Sequence, residues 1–260
     1  MGAEKGTNPI IVLPTMSLAT RLTRWSGVYL ANYFMKRGNI PVVLNGVWAR
    51  KWPLKFALQN TNPNHMVCYF GHGYEDSLVG SEFGARLGRR LVSTNSARPV
   101  DAQIMEYLQG AVLVTMACLA LEELGADLVK HGLGAFLGSS RPMLISRADL
   151  NSDGLDDFVD CFTSPSIALA EGATVSEAVE AFKAKSLAYA GLCNDRSKCP
   201  VDYKEAMEQN AKFYGFAGDG SLKVSLRVGS VRRDREEQAA PAGAPQEAAA
   251  PPAAPQWARA

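Results

Sequence analysis

AVLVTMACLALEELGADLVKHGLGAFLGSS, residues 111–140, decides the fold. AVLVTMAC (111–118) is a continuous apolar run of strand length. LALEELGADLVKHG (119–132) follows with helical spacing, and GLGAFLGSS (132–140) is a second apolar run. A strand apolar on both faces must be covered on both faces. Two such strands joined by a helix are parallel neighbours in an α/β sheet. Upstream, PIIVLP (9–14), IPVVLNGV (40–47) and HMVCYFGHG (65–73) have the same character. Between them, Arg24 to Lys36 carries a helical stripe of Trp25, Val28, Tyr29, Asn32 and Tyr33, and Asp101 is placed to cap a helix through Ile104, Met105 and Leu108. Downstream, Ser164-Pro165 reads as an N-cap with a first-turn proline. Thr174-x-x-Glu177 reads as a capping box opening a helix through Leu187. SLKVSLRV (221–228) alternates and reads as a late edge strand. The expectation is a three-layer α/β domain with a mainly parallel sheet over residues 1–230. A charged, then Pro/Ala-rich tail follows at 231–260, too poor in large apolar residues to order itself.

With 47% hydrophobic and 20% charged residues, the chain is neither wholly disordered nor collagen-like. No apolar run approaches the length of a membrane span. The net charge of +1 gives no overall reason to expect nucleic acid or a membrane as partner. The charge is uneven, however. Residues 1–74 hold eight bases and one acid, Glu4, for +7, and the rest of the chain is −6. No acid occurs between Lys5 and Tyr74. Five cysteines and no recognisable signal peptide predict a cytoplasmic protein with free thiols. Cys193 and Cys199 flank a short loop and could pair or bind metal.

In such a sheet, sites collect at the carboxyl ends of the strands. His72 follows one strand between two glycines, and Cys118 closes another. If those strands are neighbours, an imidazole and a thiol meet at one edge. His65, before a strand, and His131, at a helix end, read as structural. Cys68 and Cys161 read as small buried hydrophobes. The motifs G-x-S-x-G, G-x-x-x-x-G-K-[ST] and G-x-G-x-x-G are absent, so a serine hydrolase or nucleotide site has no loop to rest on. A histidine followed about 50 residues later by Ala-Cys is the order quoted for caspases.

MVCYFGHGYEDSLVG and GAVLVTMACLALEELGADLVKHGLGAFLGSS together resemble the caspase-fold cysteine peptidases, and within them the gingipain-type branch. EGATVSEAVEAFKAK and AKFYGFAGDGSLKVSL extend the resemblance, although Gly218-Asp219-Gly220 stands where Gly-Asp-Pro is more usual. The resemblance implies a caspase-like fold over about residues 9–228. It implies a cysteine endopeptidase acting on protein or peptide through Cys118 and His72. The backbone N–H groups of Gly73 and Cys118 would form the oxyanion hole. Caspase and legumain types place an arginine after the first strand. Arg21 and Arg24 occupy that region, as substrate-pocket residues or as a solvated helix start. Two alternatives use the same residues: an inactive scaffold module of this fold, and a cysteine-dependent amidase on a small substrate. The chemistry requires no cofactor. The sequence leaves the oligomeric state open.

A second constellation is DLNSDGLDDFVD (149–160). Asp149, Asn151, Asp153, Asp157 and Asp160 match the oxygen-ligand spacing of a calcium loop, with Gly154 at its sixth position. The other reading is an acidic turn capping the next helix.

Overall fold

Strands whose every residue is buried carry the molecule, as continuous apolar runs require. The computed structural model describes residues 8–14, 18–60, 65–81, 90–93, 99–145, 154–193 and 201–226. In chain order the strands are β1 Ile10–Leu13, β2 Val42–Asn45, β3 Met66–Phe70, β4 Gly73–Tyr74, β5 Ser77–Val79, β6 Arg90–Ser93, β7 Val112–Met116, β8 Ala135–Ser139 and β9 Tyr214–Gly218. The helices are α1 Leu18–Lys36, α2 Lys51–Gln59, α3 Pro99–Tyr107, α4 Ala126–Lys130, α5 Gly154–Ala170, α6 Val175–Leu192 and α7 Val201–Phe213. The main sheet has the order β2-β1-β3-β7-β8-β9. Its pairings are parallel except β8 with β9, which is antiparallel. β4, β5 and β6 form a small separate antiparallel sheet.

Alternation along the strands divides the core in two. Ile11, Leu13, Cys68, Phe70, Val114 and Met116 meet one layer, which includes α1, α5, α6 and α7. Ile10, Val12, Tyr69, Leu113 and Phe136 meet the other, with Leu54 and Leu58 of α2 and Ile104 of α3. This is the expected three-layer α/β architecture. Contacts divide the chain into Met1–Gly229 and Ser230–Ala260; the expected tail lies outside the described residues.

Several local expectations are corrected. The buried face of α1 is Ser26, Gly27, Leu30, Ala31 and Phe34, while Val28, Tyr29 and Asn32 are exposed. The face is chosen by close approach: a Cβ on Gly27 would collide with the Leu13 side chain. Helix α3 starts at Pro99, two residues before Asp101. Pro165 is not in a first turn but inside α5. Its missing N–H would have bonded the Cys161 carbonyl. The Ser164 hydroxyl donates to that carbonyl instead, at 2.7 Å, so the helix continues.

The antiparallel edge strand is Tyr214–Gly218, not 221–228. After Gly218, at φ 96°, the chain turns, and the Asp219 carboxylate accepts from the Ser221 N–H and hydroxyl. The carbonyls of Leu222 and Gly220 then accept from Val175 and Ser176. That segment therefore satisfies the first donors of α6 rather than extending the sheet. The Thr174–Glu177 capping box forms as expected. Cys193 is disulfide-bonded, whereas Cys68, Cys118 and Cys161 are free. Of the readings left open for Cys193, pairing is the one observed, and the general expectation of free thiols is corrected at that residue. No helix among the described residues is long and apolar enough to cross a membrane.

Candidate active site

β3 and β7 are adjacent and parallel, with Phe70 opposite Met116. His72 and Cys118 each lie two residues beyond that last pair, so both chains deliver their reactive residue to the same sheet edge. The backbones converge: a Cβ on Gly73 would sit 2.8 Å from Ala117 Cβ and 3.4 Å from the Cys118 nitrogen. Gly73, expected as an oxyanion donor, is thereby placed against Cys118, the other expected donor. Cys118 is the partly exposed member of the three free cysteines described; Cys68 and Cys161 are buried. His72 is likewise partly exposed.

The histidine loop is clamped from below by Tyr69. Its phenol oxygen lies 2.7 Å from the carbonyl oxygens of both His72 and Val79, and it accepts from the Val79 N–H at 3.1 Å. Val79 N–H also reaches the His72 carbonyl, at 3.1 Å. Gly71 is needed here because a Cβ would lie 2.6 Å from the Tyr69 hydroxyl. Glu75 and Asp76 make the turn between β4 and β5. The Glu75 carbonyl accepts from Leu124 N–H, tying the histidine hairpin to the segment after Cys118.

The chain beyond Cys118 differs from expectation. No helix begins at the cysteine. Leu119 takes φ 61°, the left-handed region a leucine rarely adopts. A π-helical turn, Leu121–Gly125, then leads into α4. The donor at the sulfur is therefore not a helix N-terminus but the Met143 N–H, 3.4 Å from Sγ. Met143 lies on the strap that leaves β8. The buried Asn210 side chain of α7 holds both backbone groups of Leu144, accepting its N–H at 2.9 Å and donating to its carbonyl at 2.8 Å. Met143, Leu119, Tyr69 and Asn210 were not singled out from sequence. Backbone groups carry no sequence signal, and Tyr69 reads as one more strand residue.

Burial pushes the Cys118 thiol above its ordinary value, partly offset by the Met143 hydrogen bond. Burial also lowers His72. Both shifts favour the uncharged forms, a thiol and a neutral imidazole.

Of the two arginines, Arg24 is exposed on α1, and the Arg21 side chain lies outside the described residues. Asp149, Asn151 and Asp153 also lie outside them. Asp157 and Asp160 lie within α5. Asp157 accepts from the Tyr203 hydroxyl at 2.7 Å, and Asp160 is bonded by Lys185 and Tyr189. His131 Nδ1 donates to the Asp127 carbonyl at the helix C-cap, and His65 is buried. No protein-family model matches the chain, and no curated protein matches it.

Proposed function

We propose that the protein is a cysteine peptidase of caspase-like fold, with Cys118 as nucleophile and His72 as general base. The observation that supports this most is the convergence of a partly exposed histidine and the one accessible free cysteine described, at the carboxyl ends of two adjacent parallel strands. The resemblance of both blocks to gingipain-type peptidases points the same way.

With both groups uncharged at rest, the proton moves during attack rather than before it. His72 takes the Sγ proton as sulfur bonds to the substrate carbonyl carbon. The carbonyl oxygen becomes an oxyanion, for which the N–H groups of Gly73 and Cys118 are the donors that the resemblance implies. On collapse the C–N bond breaks, and the amine leaves with the proton from His72. Water, deprotonated by His72, then attacks the thioester. A carboxylic acid leaves and the thiol is restored. The Met143 N–H supports the negative sulfur whenever it carries charge.

The test is treatment with a peptidyl fluoromethyl ketone, mapping of the adduct by mass spectrometry, and turnover of a mixed peptide library. The expected result is selective labelling of Cys118 and hydrolysis that disappears in Cys118→Ala. A folded Cys118→Ala protein that still hydrolyses the library, or a wild type that neither labels nor hydrolyses, would overturn the assignment.

A further inference from the structure

We propose that the β2 edge of the sheet, the turn after it and the outward side of α2 form a surface that docks onto an anionic lipid bilayer. This inference is independent of the peptidase reading. Seven large apolar side chains stand out between residues 40 and 56: Ile40, Val42, Val43, Val47, Trp48, Trp52 and Phe56, with exposures from 37% to 74%. Among the described residues, β2 is the last strand on its side of the sheet, paired only with β1. Leu54 and Leu58 bury the inner side of α2, so Trp52 and Phe56, one helical turn apart, share its outer side. Trp48 lies in the turn just before the helix.

Cations are interleaved with these side chains. Arg50, Lys51 and Lys55 lie on the same segment, and the Lys55 ammonium sits 4.9 Å from the centroid of the Trp52 ring. No acid occurs between Lys5 and Tyr74, whereas residues 75–260 are net acidic. Arg50, Lys51 and Lys55 therefore face an anionic surface with no acid on their own segment to offset them.

Charge selects the occupant. In a twofold dimer through this face the same bases would oppose one another. Protein interfaces deplete charge at their centre, whereas here cations lie among the aromatic rings. A bilayer interface accepts both: rings settle at headgroup depth while long basic side chains reach the phosphates. The surface also touches the rim of the candidate site, because Ser81 N–H, beyond the histidine hairpin, donates to the Ala49 carbonyl at 2.8 Å. Docking would thus bring the cleft close to the membrane plane.

The experiment is co-flotation of the full chain with vesicles of phosphatidylcholine alone or mixed with phosphatidylserine, at low and high salt. Two variants are compared, Trp48→Ser/Trp52→Ser/Phe56→Ser and Lys51→Glu/Lys55→Glu, each checked for an unchanged thermal midpoint. The wild type is expected to float with phosphatidylserine vesicles and to be released by salt. The aromatic variant should partition at least about a hundredfold less, and the charge variant, which reverses two charges rather than removing them, at least about thirtyfold less. Failure of the wild type to float with anionic vesicles overturns the proposal. So does flotation that survives in both variants, which would place binding elsewhere on the chain. Self-association of the wild type without flotation, abolished by the aromatic substitutions, would mean that a second copy covers this face and would also overturn it.

Discussion

A Cβ placed on Gly73 would lie 2.6 Å from the backbone carbonyl oxygen of Cys118. Backbone cannot swing aside as a side-chain tip can, so the histidine loop and the cysteine turn are in contact with no room for a methyl group. Gly73→Ala should separate them. The expected cost is about 1–3 kcal/mol of stability, with peptidase activity falling at least about a hundredfold because the reacting groups are misplaced. Thermal unfolding and library hydrolysis measure the two effects. Activity equal to wild type would mean that the two turns are not the two halves of one site.

Tyr69→Phe keeps the ring in the core and removes the hydroxyl that sits between the His72 and Val79 carbonyls. The variant should lose about 1–3 kcal/mol, because buried backbone acceptors lose a partner. The histidine loop should loosen, lowering kcat more than it raises KM. Hydrogen exchange at Val79, whose N–H reaches both the phenol and the His72 carbonyl, should quicken.

The pH dependence follows from the two shifts. His72 titrates below its ordinary 6.5, so the neutral base persists into mild acid. Hydrolysis should fall only as pH drops through that lowered value. Cys118 titrates above its ordinary 9.0, so direct alkylation by iodoacetamide, which needs the thiolate, should keep rising into the alkaline range. A plateau of alkylation extending through neutral pH would instead signal a preformed thiolate–imidazolium pair.

Asn210→Ala removes both bonds to Leu144. Met143 should no longer be held against the sulfur, so the Cys118 thiol should titrate higher still and alkylate more slowly at a given pH. The buried Leu144 groups would cost about 1–3 kcal/mol. Asn210→Asp, which still accepts from the Leu144 N–H, should recover part of the alkylation rate. A rate unchanged in Asn210→Ala would detach the strap from the thiol.

Much of this architecture was legible because burial on both faces leaves continuous apolar runs, as in Met66–Phe70 and Val112–Met116. The carboxyl-end rule pointed to His72 and Cys118 at one sheet edge, and the strands that carry them are indeed adjacent and parallel. The capping box was legible because its hydrogen bonds are local. What escaped depended on distant partners. The buried face of α1 is set by Gly27 beneath Leu13, and small residues make a weak stripe. Pro165 was misread because the compensating Ser164 hydroxyl bond is visible only in three dimensions. The alternation of 221–228 was outweighed by the open donors of α6.

The strap from Arg141 to Ile145 has a consequence for how the protein is made. A growing chain emerges from the ribosome with His72, Cys118 and Met143 long before Asn210, the residue that holds the strap. Until α7 is synthesised, Leu144, next to Met143, lacks the side chain that holds both of its backbone groups. The Phe213 carbonyl, which accepts from Ser140 N–H at the strap's other end, also comes late. Completion of this frame therefore waits on α7, late among the described elements. A chain terminated before α7 would carry His72 and Cys118 without the Asn210 side chain that holds the strap beside the cysteine.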